Sequence, residues 1–144
     1  MRGYVVIHLP RWLVWACLLV LTALCILVPL RVLGAGGRAK PVISAALPDI
    51  SGKEMTAVIV DYAPGAKSAP HHHAGDVLAF VVSGSVRSEN SATGPARVYH
   101  AGEAFFEPAG SKHLVSENAS SSEAAKLLAV FVADAHAQLT EAEK

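Results

Sequence analysis

Three consecutive histidines, His71, His72 and His73, follow Pro70, and a further one, His113, stands forty residues beyond them. A neutral imidazole offers a lone pair that divalent cations accept readily near neutral pH. Side chains alternate faces along an extended backbone, so His71 and His73 point one way and His72 the other. Two imidazoles on one face can take adjacent positions around a single ion. His113 completes a three-imidazole site if the fold brings it opposite that pair. A bare run of three histidines, taken alone, reads as a polar surface turn. His100 precedes a turn and reads as surface, and His136 has no partner in the tail. Glu103 and Glu107 offer a carboxylate, and Tyr62 and Tyr99 a phenol, for acid–base work. Exposed strand carboxylates are the plainer reading of the first two. Asn118-Ala119-Ser120 is a glycosylation sequon by composition only. Neither a glycine-rich phosphate loop nor a Ser-His-Asp set with supporting context is present. Cys17 and Cys25, the only cysteines, both lie in the N-terminal stretch, so the rest of the chain has no thiolate for catalysis or metal binding.

The elements that must position these histidines are short strands. Thr56–Tyr62 is rich in β-branched residues and stops at Pro64-Gly65. Val77–Val82 is a second run, ended by Ser83-Gly84-Ser85. Val86–Glu89, Ala96–His100, Ala104–Glu107, His113–Asn118 and Lys126–Val132 follow, separated by turn residues. Asn90–Pro95 reads as a loop. Phe80, Phe105, Phe106 and Phe131 read as core. About seven strands at near-regular spacing, with no helix between them, predict an antiparallel sandwich or barrel.

The 144 residues suffice for one domain. Residues 1–40 carry Arg2, Arg11, Arg31, Arg38 and Lys40 and no acid. From residue 41 onward 7 Lys and Arg face 12 Asp and Glu, a net of −5. An acidic domain repels phosphate backbones, which argues against a nucleic-acid partner. Trp12–Leu30 is apolar except for Thr22 and uncharged. As a helix it extends roughly 28 Å, about one hydrocarbon thickness. Small residues from Gly34 to Ala39 suit cleavage of a secretory signal, whereas the length of the run and Trp12 and Trp15 suit an uncleaved anchor. Both readings export the domain to the periplasm or another extracytoplasmic space, released in one case and membrane-anchored in the other. The organisation expected is a signal or anchor with linker at 1–40, a barrel at 41–133 and a polar tail at 134–144. The tail reads as a short helix or a frayed end.

Gly65, six residues before His71, begins Gly-x5-His-x-His. Gly84 lies eleven after His73. Gly102-x5-Pro108-x-Gly110-x2-His113 follows in order. This pair of motifs resembles the two motifs of the cupin family over residues 55–133. The resemblance implies an all-β, antiparallel jelly-roll barrel, here preceded by one hydrophobic N-terminal helix. It puts His71, His73 and His113 at the family's three histidine ligand positions, around one divalent ion: Fe, Mn, Zn or Ni. The family's first motif usually adds a glutamate four or five residues after its second histidine. Those positions are Val77 and Leu78, and Asp76 falls one place early, on the opposite strand face. Glu117 stands where the second motif commonly ends in Asn, with Asn118 one further on. The reduced three-histidine set resembles that of thiol dioxygenases. It implies an oxygen-dependent enzyme acting on a small molecule, or a non-catalytic module that binds metal or a small ligand. An isomerase would need an acid–base pair that no residue clearly supplies. A homodimer stays open.

Overall fold

The computed structural model describes residues 36–143. The expected N-terminal helix lies outside the described residues. Every regular element described is a strand: β1 (Arg38–Ala46), β2 (Lys53–Tyr62), β3 (Lys67–Ser68), β4 (His71–His73), β5 (Asp76–Ser83), β6 (Ser85–Asn90), β7 (Gly94–His100), β8 (Ala104–Glu107), β9 (Lys112–Asn118), β10 (Ala125–Asp134) and β11 (Thr140–Ala142). All pairings are antiparallel. One sheet runs β1-β2-β10-β5-β8 and the other β11-β4-β9-β6-β7, with β3 also paired to β9. The all-β antiparallel expectation therefore holds for the described residues.

Period-two patterning explains why the sheets pack as they do. Along β10, Ala125, Leu127, Ala129, Phe131 and Ala133 are buried, and the residues between them are half-buried. Leu127 joins Tyr62, Ala79, Val81, Val86 and Phe105 in one apolar cluster. Phe131 and Ala129 join Val77 in a second. β5 alternates in the same way, turning Val77, Ala79 and Val81 inward and leaving Leu78, Phe80 and Val82 exposed. The turn from β5 to β6 depends on Gly84. Its φ is +71°, and an added Cβ would stand 2.5 Å from the Ala124 carbonyl oxygen.

Four strands differ from the sequence reading. β1 begins at Arg38, inside the stretch read as linker. All nine of its residues are exposed, so it carries no alternation to betray it. Among the described residues it hydrogen-bonds only to β2, with a register shift between Pro41 and Ile43, and proline is tolerated on such an edge. β3 and β4 are too short for a periodic signal. β11 lies where a terminal helix or frayed end was expected, and it pairs along β4. Its three residues are all exposed, so pairing rather than burial makes it a strand.

Candidate metal centre

β4 and β9 are antiparallel neighbours, and their register sets His71 directly opposite His113. A separation of forty residues in sequence thus becomes one cross-strand pair. His73 is two residues from His71 on the same strand and shares its face. The ring centroids are 4.8 Å apart for His71 and His73, 5.0 Å for His71 and His113, and 6.3 Å for His73 and His113. One nitrogen from each ring lies within 4.8 Å of one nitrogen from each of the others. His73 and His113 are buried and His71 is half-buried.

Hydrogen bonds to the backbone set the direction of two rings. His71 Nδ1 lies 2.7 Å from the Ala69 carbonyl oxygen, and His73 Nδ1 lies 3.0 Å from that of Leu139. A carbonyl only accepts, so each Nδ1 must donate, and the lone pair of each neutral ring falls on Nε2. Thr140 Oγ1 stands 3.1 Å from His73 Nδ1 and supports the same arrangement. This is the outer support that metal-ligating histidines characteristically have. His113 is turned the other way. Its Nε2 meets the Ser88 hydroxyl at 2.9 Å, which leaves the buried Nδ1 without a hydrogen-bond partner. An unpaired buried nitrogen of this kind costs about 1–3 kcal/mol unless something binds it.

Glu107 is the fourth group at this point, and its carboxylate is 3% exposed. Its Oε2 stands 3.0 Å from His113 Nδ1 and 3.8 Å from His73 Nε2. Donors each about 2.1 Å from one ion stand about 3.0–3.4 Å apart in octahedral or tetrahedral geometry, which the shorter of these spacings matches and the longer exceeds. Asn90 Nδ2, which donates to the Ser111 hydroxyl at 2.9 Å, lies 3.4 Å from the same carboxylate oxygen. In the ladder between β5 and β8, Glu107 faces Val77. The carboxylate absent from positions 77 and 78 is therefore replaced in space from the neighbouring strand. Sequence reasoning ranked Glu107 no higher than Glu103; its position immediately before Pro108 of the second motif is the signal that could have raised it.

The remaining candidates lie outside the histidine cluster, though Tyr62 lines the same cavity. His72 turns away and meets Glu143 at 3.0 Å. Asp76 accepts from the Ala109 amide at 2.8 Å, and Glu103 accepts from the His100 amide at a turn. Tyr99 packs on Phe105, with the Arg97 guanidinium 4.9 Å from its ring centroid. Tyr62 is buried, and its hydroxyl meets those of Ser116 at 2.8 Å and Ser68 at 3.2 Å. The Asn118 side-chain amide is buried and donates to the Ala63 and Glu123 carbonyls, so it is not free to carry a glycan.

Burial depresses the basicity of His71 and His73 below that of an ordinary imidazole, despite nearby groups that favour the charged form. Burial alone would raise the Glu107 carboxyl. The close approach and charge of His113, with His73 and His71 beyond, outweigh it and hold the group below the usual range. At neutral pH the site therefore offers imidazole lone pairs and one carboxylate, a donor set that fits a divalent transition ion. It opens on a cavity of about 540 Å³ whose other walls are mainly apolar, including Val58, Val60, Leu127, Ala129 and Phe131.

Comparison with known proteins follows the same outline. The model of the family described as Cupin domain (Cupin_2) matches residues 58–131. No curated protein matches the chain. Among solved structures, a Klebsiella pneumoniae protein with a double-stranded β-helix domain is 22% identical, with a TM-score of 0.59. That match covers 77% of this chain and 88% of the other. The DMSP lyase DddQ from Ruegeria pomeroyi is 18% identical with a TM-score of 0.59, covering 74% of this chain and 51% of the lyase. Oxalate decarboxylase is 25% identical with a TM-score of 0.54, covering 70% of this chain and 27% of the enzyme.

Proposed function

The chain belongs to the cupin family, and on that premise we propose that it is an exported, metal-dependent oxidoreductase of dioxygenase type acting on a small molecule. One observation carries this reading. Three imidazoles and a carboxylate converge at the wall of a cavity of about 540 Å³, on one side of it. A purely structural metal site is normally closed by its ligands. His71, His73 and His113 would hold the ion, Glu107 would add the one anionic ligand, and the side facing the cavity would stay open. A divalent ion bound there supplies a Lewis-acid centre, and iron also a redox centre, at which a substrate head group and O₂ can meet. The protein's own part is to orient and to exclude water. The Ala69 and Leu139 carbonyls fix the rings of His71 and His73, and the mainly apolar walls offer water few partners. Among the described residues, Glu107 is the sole ionisable lining group besides the histidines and Tyr62, and it already stands 3.0 Å from His113. Chemistry that needs a separate acid–base pair, such as isomerisation, is correspondingly disfavoured.

Support for export comes from the uncharged run Trp12–Leu30 between arginines. The test of function is O₂ consumption by the Fe(II)-loaded full chain with a panel of thiols and phenols. Consumption that disappears in His73→Ala supports the proposal. Tight ligand binding without consumption identifies a non-catalytic sensing module instead.

A further inference from the structure

Among the described residues, Glu107 is the one charged side chain lining the cavity beside the histidines, and no lysine or arginine lines it. We propose that this cavity takes a small monoanion with an apolar body, its charged head at the histidine cluster and no second charge. The inference rests on the reading of His71, His73 and His113 as metal ligands. The charge count follows from that reading. Three neutral imidazoles, the Glu107 carboxylate and a divalent ion sum to a single positive charge, and one anionic head group neutralises it. A second carboxylate or a phosphate held against Val58, Val60 or Leu127 would find no cation among the described residues to pair it, and an unpaired buried charge is strongly disfavoured. A cationic ligand would face the ion's own charge. A neutral ligand would forgo the attraction of the centre. Away from the histidines, the polar part of the wall is the neutral hydroxyl cluster of Tyr62, Ser68 and Ser116. It can receive a hydroxyl or carbonyl group but cannot compensate a charge. A cavity of about 540 Å³ holds an aliphatic or aromatic body of modest size.

The experiment is calorimetric titration of the full chain, loaded with Zn²⁺ and checked for one metal per chain, with hexanoate, adipate, hexanol and hexylammonium. These probes share a six-carbon chain and differ in charge. Hexanoate is expected to bind at least tenfold more tightly than the other three, and its binding should vanish in the metal-free protein. Adipate binding as tightly as hexanoate, with metal content intact, overturns the inference and leaves the metal assignment standing. Hexanoate binding equally to metal-free protein overturns it as well. Failure of the chain to retain metal overturns the metal reading itself, and the inference with it.

Discussion

His71 and His113 face each other across β4 and β9, and Glu107 reaches the same point from β8. If the Glu107 carboxylate contributes to the centre, Glu107→Gln keeps the shape and removes the charge. Metal affinity should then fall about 10–100-fold, while metal content at saturation stays near one per chain. An unchanged affinity, measured by competition with a chelator, would remove Glu107 from the centre. Protonation gives a second prediction. Ligating imidazoles must be neutral, so metal is lost as pH falls through their protonation. Burial lowers this point for His71 and His73, so half-release should occur below about pH 6.5, the ordinary imidazole value. Release centred above that value, followed by elemental analysis across a pH series, would contradict the burial argument. The three histidines were legible because strand alternation and motif spacing both act along the chain. Glu107 was not, because its relation to the site runs across strands: it faces Val77 through a register that no local pattern displays.

β11 shows how an element with no core of its own can serve the site. It pairs with β4, and the Leu139 carbonyl just before it holds His73 Nδ1. Lys112 and Glu143 form an ion pair at 2.8 Å beside it. The residues of β11 bury little, but Leu139 before it packs against the Phe131 cluster, so ending the chain after Gln138 should lower the thermal midpoint modestly without unfolding the chain. Metal affinity should drop, because His73 loses the group that orients it. A truncated chain that unfolds, or one that binds metal as tightly as the full chain, would show that β11 does something else. The long strands were readable because their runs of Val, Ile, Leu and Phe are bounded by turn residues: β2, β5 and β10 each follow this rule. β1 and β11 were not, because hydrogen bonding to a single neighbour on an exposed edge leaves no mark on composition.

Taken whole, the described residues form two antiparallel sheets that enclose a core and a cavity without any cysteine. The acidic balance from residue 41 onward and the cysteine-free barrel were plain from composition, since charge and residue counts need no geometry. The cavity was not, because its walls come from strands far apart in the chain, including Val58, Ala79, His113 and Phe131. Export of the domain, proposed from Trp12–Leu30, concerns residues outside those described. The central claim is that one chain closes one three-histidine metal site, with His72 excluded by strand alternation. The most direct test is the metal-to-chain ratio of His72→Ala and His73→Ala, measured side by side by elemental analysis. The predicted ratios are about one for His72→Ala and close to zero for His73→Ala. Equal loss in the two variants would contradict the account and reduce the histidine run to a loose surface chelator.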